Sequence, residues 1–165
     1  MQGEISINVT VSTPTPTEGS SVAFTCKFAY NTGNVANVLW RYGHQIRTAA
    51  KIVDWRYNDP DNVYYGSGYS ASKHQMTIAE IVTGGQTRLS IDSVVPQQDD
   101  GRYWCEAVYV GHFDNAYADI QVVGKCETEE CKLLDNAYAD IRGLCPKHTS
   151  GRWLLATSIG QPARL

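Results

Sequence analysis

The feature that most constrains this chain is a succession of short runs in which apolar and polar residues alternate. Ile5, Ile7, Val9 and Val11 alternate with Ser6, Asn8 and Thr10. Val22, Phe24, Cys26 and Phe28 alternate with Ala23, Thr25 and Lys27, and Leu89 and Ile91 with Ser90 and Asp92. Tyr103, Cys105, Ala107 and Tyr109 alternate with Trp104, Glu106, Val108 and Val110. A period of two puts one face of a strand in a core and the other towards solvent. Val38-Leu39-Trp40-Arg41-Tyr42, Lys51-Ile52-Val53-Asp54-Trp55 and Ile120-Gln121-Val122-Val123 read as further strands. A strand beginning at Met76 and Ile78 is expected to continue to Ile81. Asn58-Asp59-Pro60-Asp61-Asn62 reads as a turn, and Thr83-Gly84-Gly85-Gln86 as a hairpin turn, because glycine supplies the positive φ. Pro14 and Pro16 confine their segment to a sheet edge or to a switch between sheets. No stretch before residue 124 has a helical period. The pattern predicts an all-β, two-sheet sandwich.

Composition sets the outer bounds. Of the 165 residues, 42% are hydrophobic and 19% charged, so the chain can bury a core. The net charge of −3 argues against nucleic acid as a partner, since that affinity comes mostly from basic residues on phosphates. No apolar run approaches the ~18 residues of a membrane span. Met1-Gln2-Gly3-Glu4 lacks the basic and apolar blocks of a signal peptide and reads as a processed or engineered start. No nucleophile elbow, His-Glu-x-x-His pair or phosphate loop is present, and the four His are scattered. The expectation is a protein that is not an enzyme, without cofactor or metal. Ten Tyr and four Trp against three Phe favour contact surfaces, because Tyr and Trp join an apolar body to a polar tip.

Cys26, Trp40 fourteen residues later, and Cys105 frame the body of the chain. Asp99-Asp100-Gly101-Arg102-Tyr103-Trp104-Cys105 fits Asp-x-Gly-x-Tyr-x-Cys. Over residues 4–124 this resembles the immunoglobulin V-set domain of immune-type molecules. Gly101-Arg102-Tyr103-Trp104-Cys105 and the stretch from Lys51 to Asn58 are similar to protochordate V-region-containing chitin-binding proteins. The former is also similar to V domains of the polymeric immunoglobulin receptor type. The resemblance implies a variable-type sandwich with a Cys26–Cys105 bridge, and a core built on Trp40, Leu89 and Tyr103. Asp99 and Gly101 would shape a tyrosine corner. It also implies an extracellular location, secreted or on a cell-surface ectodomain, and recognition of a protein or carbohydrate ligand. The alternative is a cell-adhesion or homodimerising module.

Three departures stand out. The segment between Ile91 and Asp99 is one residue longer than usual, so the corner is expected to bulge. The Arg that pairs with the motif Asp in this family is missing; the only nearby cation is Lys73, which weakens the case for that ion pair. Phe113-Asp114-Asn115-Ala116 replaces the Phe-Gly-x-Gly of rearranging receptors. Chitin binding does not carry over, because the sugar-binding module of that family is a separate domain.

Two candidate surfaces follow. Cys105 and Trp40 face inward, so alternation turns Trp104, Glu106, Val108, Leu39 and Arg41 outward. That face is expected to carry Trp104, Leu39 and Val108 around an Arg41–Glu106 pair, and to bind a partner or a second copy. The second surface is a loop cluster at one end of the sandwich, with Tyr30, Asn31, Trp55, Tyr57, Tyr64, Tyr65, His112 and Phe113 as recognition residues. Asn8-Val9-Thr10 is a glycosylation sequon.

The remainder, residues 125–165, is a Cys-containing tail. Asp114-Asn115-Ala116-Tyr117-Ala118-Asp119-Ile120 recurs there as Asp135-Asn136-Ala137-Tyr138-Ala139-Asp140-Ile141. Only one copy can fill the last strand of the sandwich. The first should, because a short connection from Val110 loses less closure entropy. The tail is expected to be less ordered than the body, and its copy to act as a spare strand. Cys126, Cys131, Cys145 and His148 can be drawn as a zinc site, but thiols of an oxidising compartment pair instead. Two of the three would bridge and one would remain.

Overall fold

The computed structural model describes residues 6–29, 35–109 and 112–125. Among the described residues, nine strands form two antiparallel sheets that face one another. One sheet has the order β1 (Ser6–Val11), β2 (Val22–Ala29), β7 (Gln86–Ile91), β6 (His74–Thr77). The other runs β5 (Asp59–Tyr65), β4 (Ala50–Arg56), β3 (Val35–Tyr42), β8 (Gly101–Tyr109), β9 (His112–Ile120). This is an immunoglobulin-like sandwich, with the two extra strands on the five-stranded sheet that distinguish the variable arrangement. Residues 126–165, with the second copy of the repeat and Cys126, Cys131 and Cys145, lie outside the described residues.

The inward faces make one core. Cys26 and Cys105 are bonded across it with their Cα atoms 6.2 Å apart. Trp40 is fully buried and lies directly opposite Cys105 in the β3–β8 register. Phe24 stacks on Tyr103 at 4.5 Å and meets Trp40 at 6.2 Å. Leu89 and Ile91 close the core from β7.

The two prolines do mark a switch between sheets. Ser12 still donates its backbone N–H to Ala23 of the first sheet. Past Pro14 the chain runs parallel to the end of the second sheet, where Gln121 and Val123 donate to the carbonyls of Pro14 and Pro16. The first copy of the repeat fills the last strand, since β9 contains residues 114–120.

Two expected turns are placed differently. The chain reverses between β4 and β5 at Tyr57-Asn58, and Asp59 to Asn62 belong to β5. Pro60 is tolerated there because β5 is an edge strand. The predicted 83–86 hairpin is replaced by a helical turn, α1 (Ile81–Gly84), and β6 stops at Thr77. Ile81 drops fully into the core, which a continuing strand would not allow. Gly85 closes that turn with φ 59°, and a Cβ there would lie 2.3 Å from the Phe28 carbonyl oxygen.

In the corner before β8, Ser93 and Gln97 lie in the left-handed region at φ 53° and 66°. Lys73 does pair with Asp99, Nζ to Oδ2 at 2.8 Å, which corrects the weak expectation drawn from the missing Arg. Lys73 directly precedes β6, and its long side chain reaches the carboxylate from there. The same oxygen accepts the Val95 N–H at 2.7 Å, and the Tyr103 hydroxyl donates to the Asp99 carbonyl at 3.0 Å. Tyr42 donates to the Asp100 carbonyl and packs on Tyr103 at 5.0 Å. Gly101, at φ 133°, leaves room for the Tyr42 ring.

Candidate functional site: the outer face of the five-stranded sheet

The β8–β9 register sets Arg102, Trp104, Glu106 and Val108 opposite Asp119, Tyr117, Asn115 and Phe113. Because Cys105 and Ala107 are buried, all eight share the outer face. Trp104 is half-buried, its indole N–H donating to the Gly43 carbonyl at 2.8 Å and its ring 4.7 Å from Tyr117. The Arg102 guanidinium lies 3.7 Å from the Tyr117 ring centroid and 5.6 Å from that of Trp104. It also donates twice to Asp119, at 2.8 and 3.0 Å. This hydrogen bonding holds the Asp119 carboxyl below its ordinary value and raises Arg102. The result is a cation clamped over an aromatic pair, with Tyr117 46% and Phe113 69% exposed.

The rest of the face departs from expectation. Leu39 is 7% exposed, so it is not part of an open apolar patch. It sits on the central strand with Asp54 and Glu106 opposite it on either side. Neighbouring side chains cover a residue in that position. Arg41 and Glu106 do meet, at 3.6 Å, but diagonally. In an antiparallel pair the residue after Trp40 faces the one before Cys105, so Arg41 stands opposite Trp104. Val108 is half-buried between Asn37 and Phe113 in register.

On the β4–β5 side, Asp54 is almost fully buried and held by Lys51 Nζ at 2.5 Å and Arg56 Nε at 2.8 Å. Arg56 also covers the Tyr64 ring at 4.4 Å. The Tyr64 hydroxyl donates to Asp59, which lowers the Asp59 carboxyl and raises the phenol.

The proposed loop cluster divides. Trp55 is a core residue at 1% exposure, its N–H donating to the Pro60 carbonyl at 2.9 Å. It faces inward on β4, and reading it as a recognition residue is corrected. Tyr65 is half-buried against the core, and Tyr64 is tied into the hairpin. Tyr57, His112 and Phe113 are exposed. Tyr30 and Asn31 lie outside the described residues. Asn8 and Thr10 of the sequon are exposed on the edge strand β1.

Arg102, Tyr117 and Asp119 escaped the reading of the sequence. Parity with Trp104 places Arg102 on this face, but the partners on β9 needed the register of the hairpin. Among the described residues, no three His, Cys, Asp or Glu side chains could hold a metal ion, and no helix is long and apolar enough to cross a membrane. No protein-family model matches the chain, and no curated protein matches it.

Proposed function

We propose that this chain is an immunoglobulin V-set recognition domain of an immune-type receptor or secreted immune molecule. It acts outside the cell, without catalysis, by holding a protein or carbohydrate ligand against the outer face of the five-stranded sheet. The observation that carries this reading is where the exposed aromatics stand. Phe113 and Tyr117 are exposed on the outer face of one sheet, and Tyr117 is backed by Arg102 and Trp104. Rigid aromatics and Arg in a pre-set arrangement are the side chains that anchor contacts. The buried disulfide and the exposed sequon at Asn8 support a secretory route. The same aromatic face favours a second reading, a homodimerising or adhesion module.

Glycan and protein arrays probed with the chain and with its Tyr117→Ala and Phe113→Ala variants test the proposal. Loss of about tenfold in affinity or more is expected for an anchor. Binding untouched by both variants overturns the face as the site. Concentration-dependent sedimentation without ligand, abolished by Tyr117→Ala, would favour the second reading.

A further inference from the structure

The ion pairs on the outer face of the five-stranded sheet are closed on themselves, with one exception. Lys51 and Arg56 meet Asp54 at 2.5 and 2.8 Å, and Arg102 meets Asp119 at 2.8 Å. Arg41 and Glu106 approach only to 3.6 Å, beyond a hydrogen bond. Among the described residues neither side chain makes a hydrogen bond, and Arg41 Nε is buried without a partner. Both have nevertheless lost most of their water, with 27% and 15% of the side chain exposed. A desolvated charge left without hydrogen bonds is costly, and apolar residues in place of such a pair usually leave a fold as stable or more so. The fold alone does not account for keeping the pair in this state.

Its surroundings show what would complete it. Arg41 stands opposite Trp104, and Trp104 opposite Tyr117, in one row across β3, β8 and β9. Glu106 stands in the next row, between Leu39 and Asn115. The Asn115 side chain is half-buried, and its amide is unbonded among the described residues. Underbonded donors and acceptors therefore lie 3.6 Å apart beside an aromatic surface whose outer member, Tyr117, is 46% exposed.

A ligand that suits this arrangement accepts from a guanidinium and donates to a carboxylate within one short span. A hydroxyl does both, and neighbouring hydroxyls of a pyranose do so side by side. The same ring offers an apolar C–H face to an aromatic side chain. Charged groups fit less well. An anion brought to Arg41 meets Glu106 and then Asp119, and a cation brought to Glu106 meets Arg41 and then Arg102. A protein partner covers the face with side chains, few of which donate and accept at one point, whereas a saccharide does so around its ring.

We propose that Arg41, Glu106 and Asn115 form the hydrogen-bonding subsite, and Tyr117 the stacking surface, for an uncharged saccharide. The inference rests on the recognition function proposed above and narrows its ligand to one class. The full chain, isotope-labelled, is titrated with lactose, maltose, cellobiose and mannobiose while the Arg41 Nε–H and Trp104 indole N–H signals are followed by NMR. At least one of these disaccharides should shift both signals saturably, and its uronic acid form should bind at least tenfold more weakly. The double variant Arg41→Met with Glu106→Met should lose tenfold or more in affinity, read from the Trp104 signal, with a denaturation midpoint unchanged or raised. Affinity retained in that variant overturns the proposal. So does a lowered midpoint, which would assign the pair to the fold, and so does tighter binding of the uronic acid form. Failure of all the disaccharides to bind overturns it too. The wider recognition function then still stands if a protein ligand needs Tyr117, and falls with it if none does.

Discussion

Two sites in this molecule are assembled from the same kinds of side chain. At the corner before β8, a carboxylate, a cation and two aromatics meet as Asp99, Lys73, Tyr103 and Tyr42. On the outer face they meet as Asp119, Arg102, Tyr117 and Trp104. Burial separates them. The Asp99 side chain is 6% exposed and that of Asp119 51%. Tyr103 has its hydroxyl bonded inside the protein, and burial pushes its phenol far up, whereas Tyr117 keeps half its surface in water. The corner spends its polar groups on the fold. The face holds its groups in place and leaves an aromatic surface uncovered, so its organisation is not needed to keep the sandwich together.

Tyrosine truncation should separate the two sites most sharply. Tyr103→Ala should destabilise the domain by about 3–5 kcal/mol, the range for losing a large buried aromatic. Tyr117→Ala should change stability by less than about 1 kcal/mol. Chemical denaturation of both variants checks this, and comparable losses would erase the distinction. The carboxylates come next. Asp99→Ala strips partners from Lys73 and from a buried backbone N–H, and should lose about 3 kcal/mol. Asp119→Ala removes a bond at the surface and should lose less than about 1 kcal/mol.

The smallest effect is the dependence on pH. His74, beside the corner, lies below its ordinary 6.5, chiefly because burial disfavours its charged form. The unfolded chain therefore binds the proton more readily, and stability should fall as pH drops from about 6.5 through the depressed value. Asp119 also lies below its ordinary 3.8, through its hydrogen bond from Arg102. What it contributes is present above that pH and is lost only as pH falls through its lowered value. Denaturation midpoints followed from pH 8 to 3 should show the earlier loss removed by His74→Gln and retained in Arg102→Ala.

The alternation of apolar residues was enough to read the two-sheet fold, because burial on one face imposes a period of two on every strand. It could not say which outward residues are covered by their neighbours. Leu39 obeys the parity rule and is still buried, since its place on the central strand gives it flanking side chains on both sides. Trp55 and Tyr57 share parity and composition. One is core and the other surface, because the chain turns at Tyr57-Asn58, ahead of the Asn58–Asn62 stretch in which the sequence signals the turn. The Lys73–Asp99 contact spans 26 residues and depends on the reach of a side chain, which spacing does not encode. The Trp104–Tyr117–Arg102 group depends on the register of a hairpin whose connection, residues 110–111, contains no recognised turn pair.

The passage of Pro14 and Pro16 alongside the end of the second sheet has a mechanical consequence. Gln121 and Val123 donate to the two proline carbonyls at 2.9 and 2.8 Å, and Glu18 donates to Val123 at 2.7 Å. The two segments run parallel. Tension applied through β1 in one direction and through Lys125 in the other draws them past each other along their length. All three bonds then bear load at once, as in a lap joint, and none can be peeled before the others. Under tension the sandwich is fastened at the point where its first and last strands leave it.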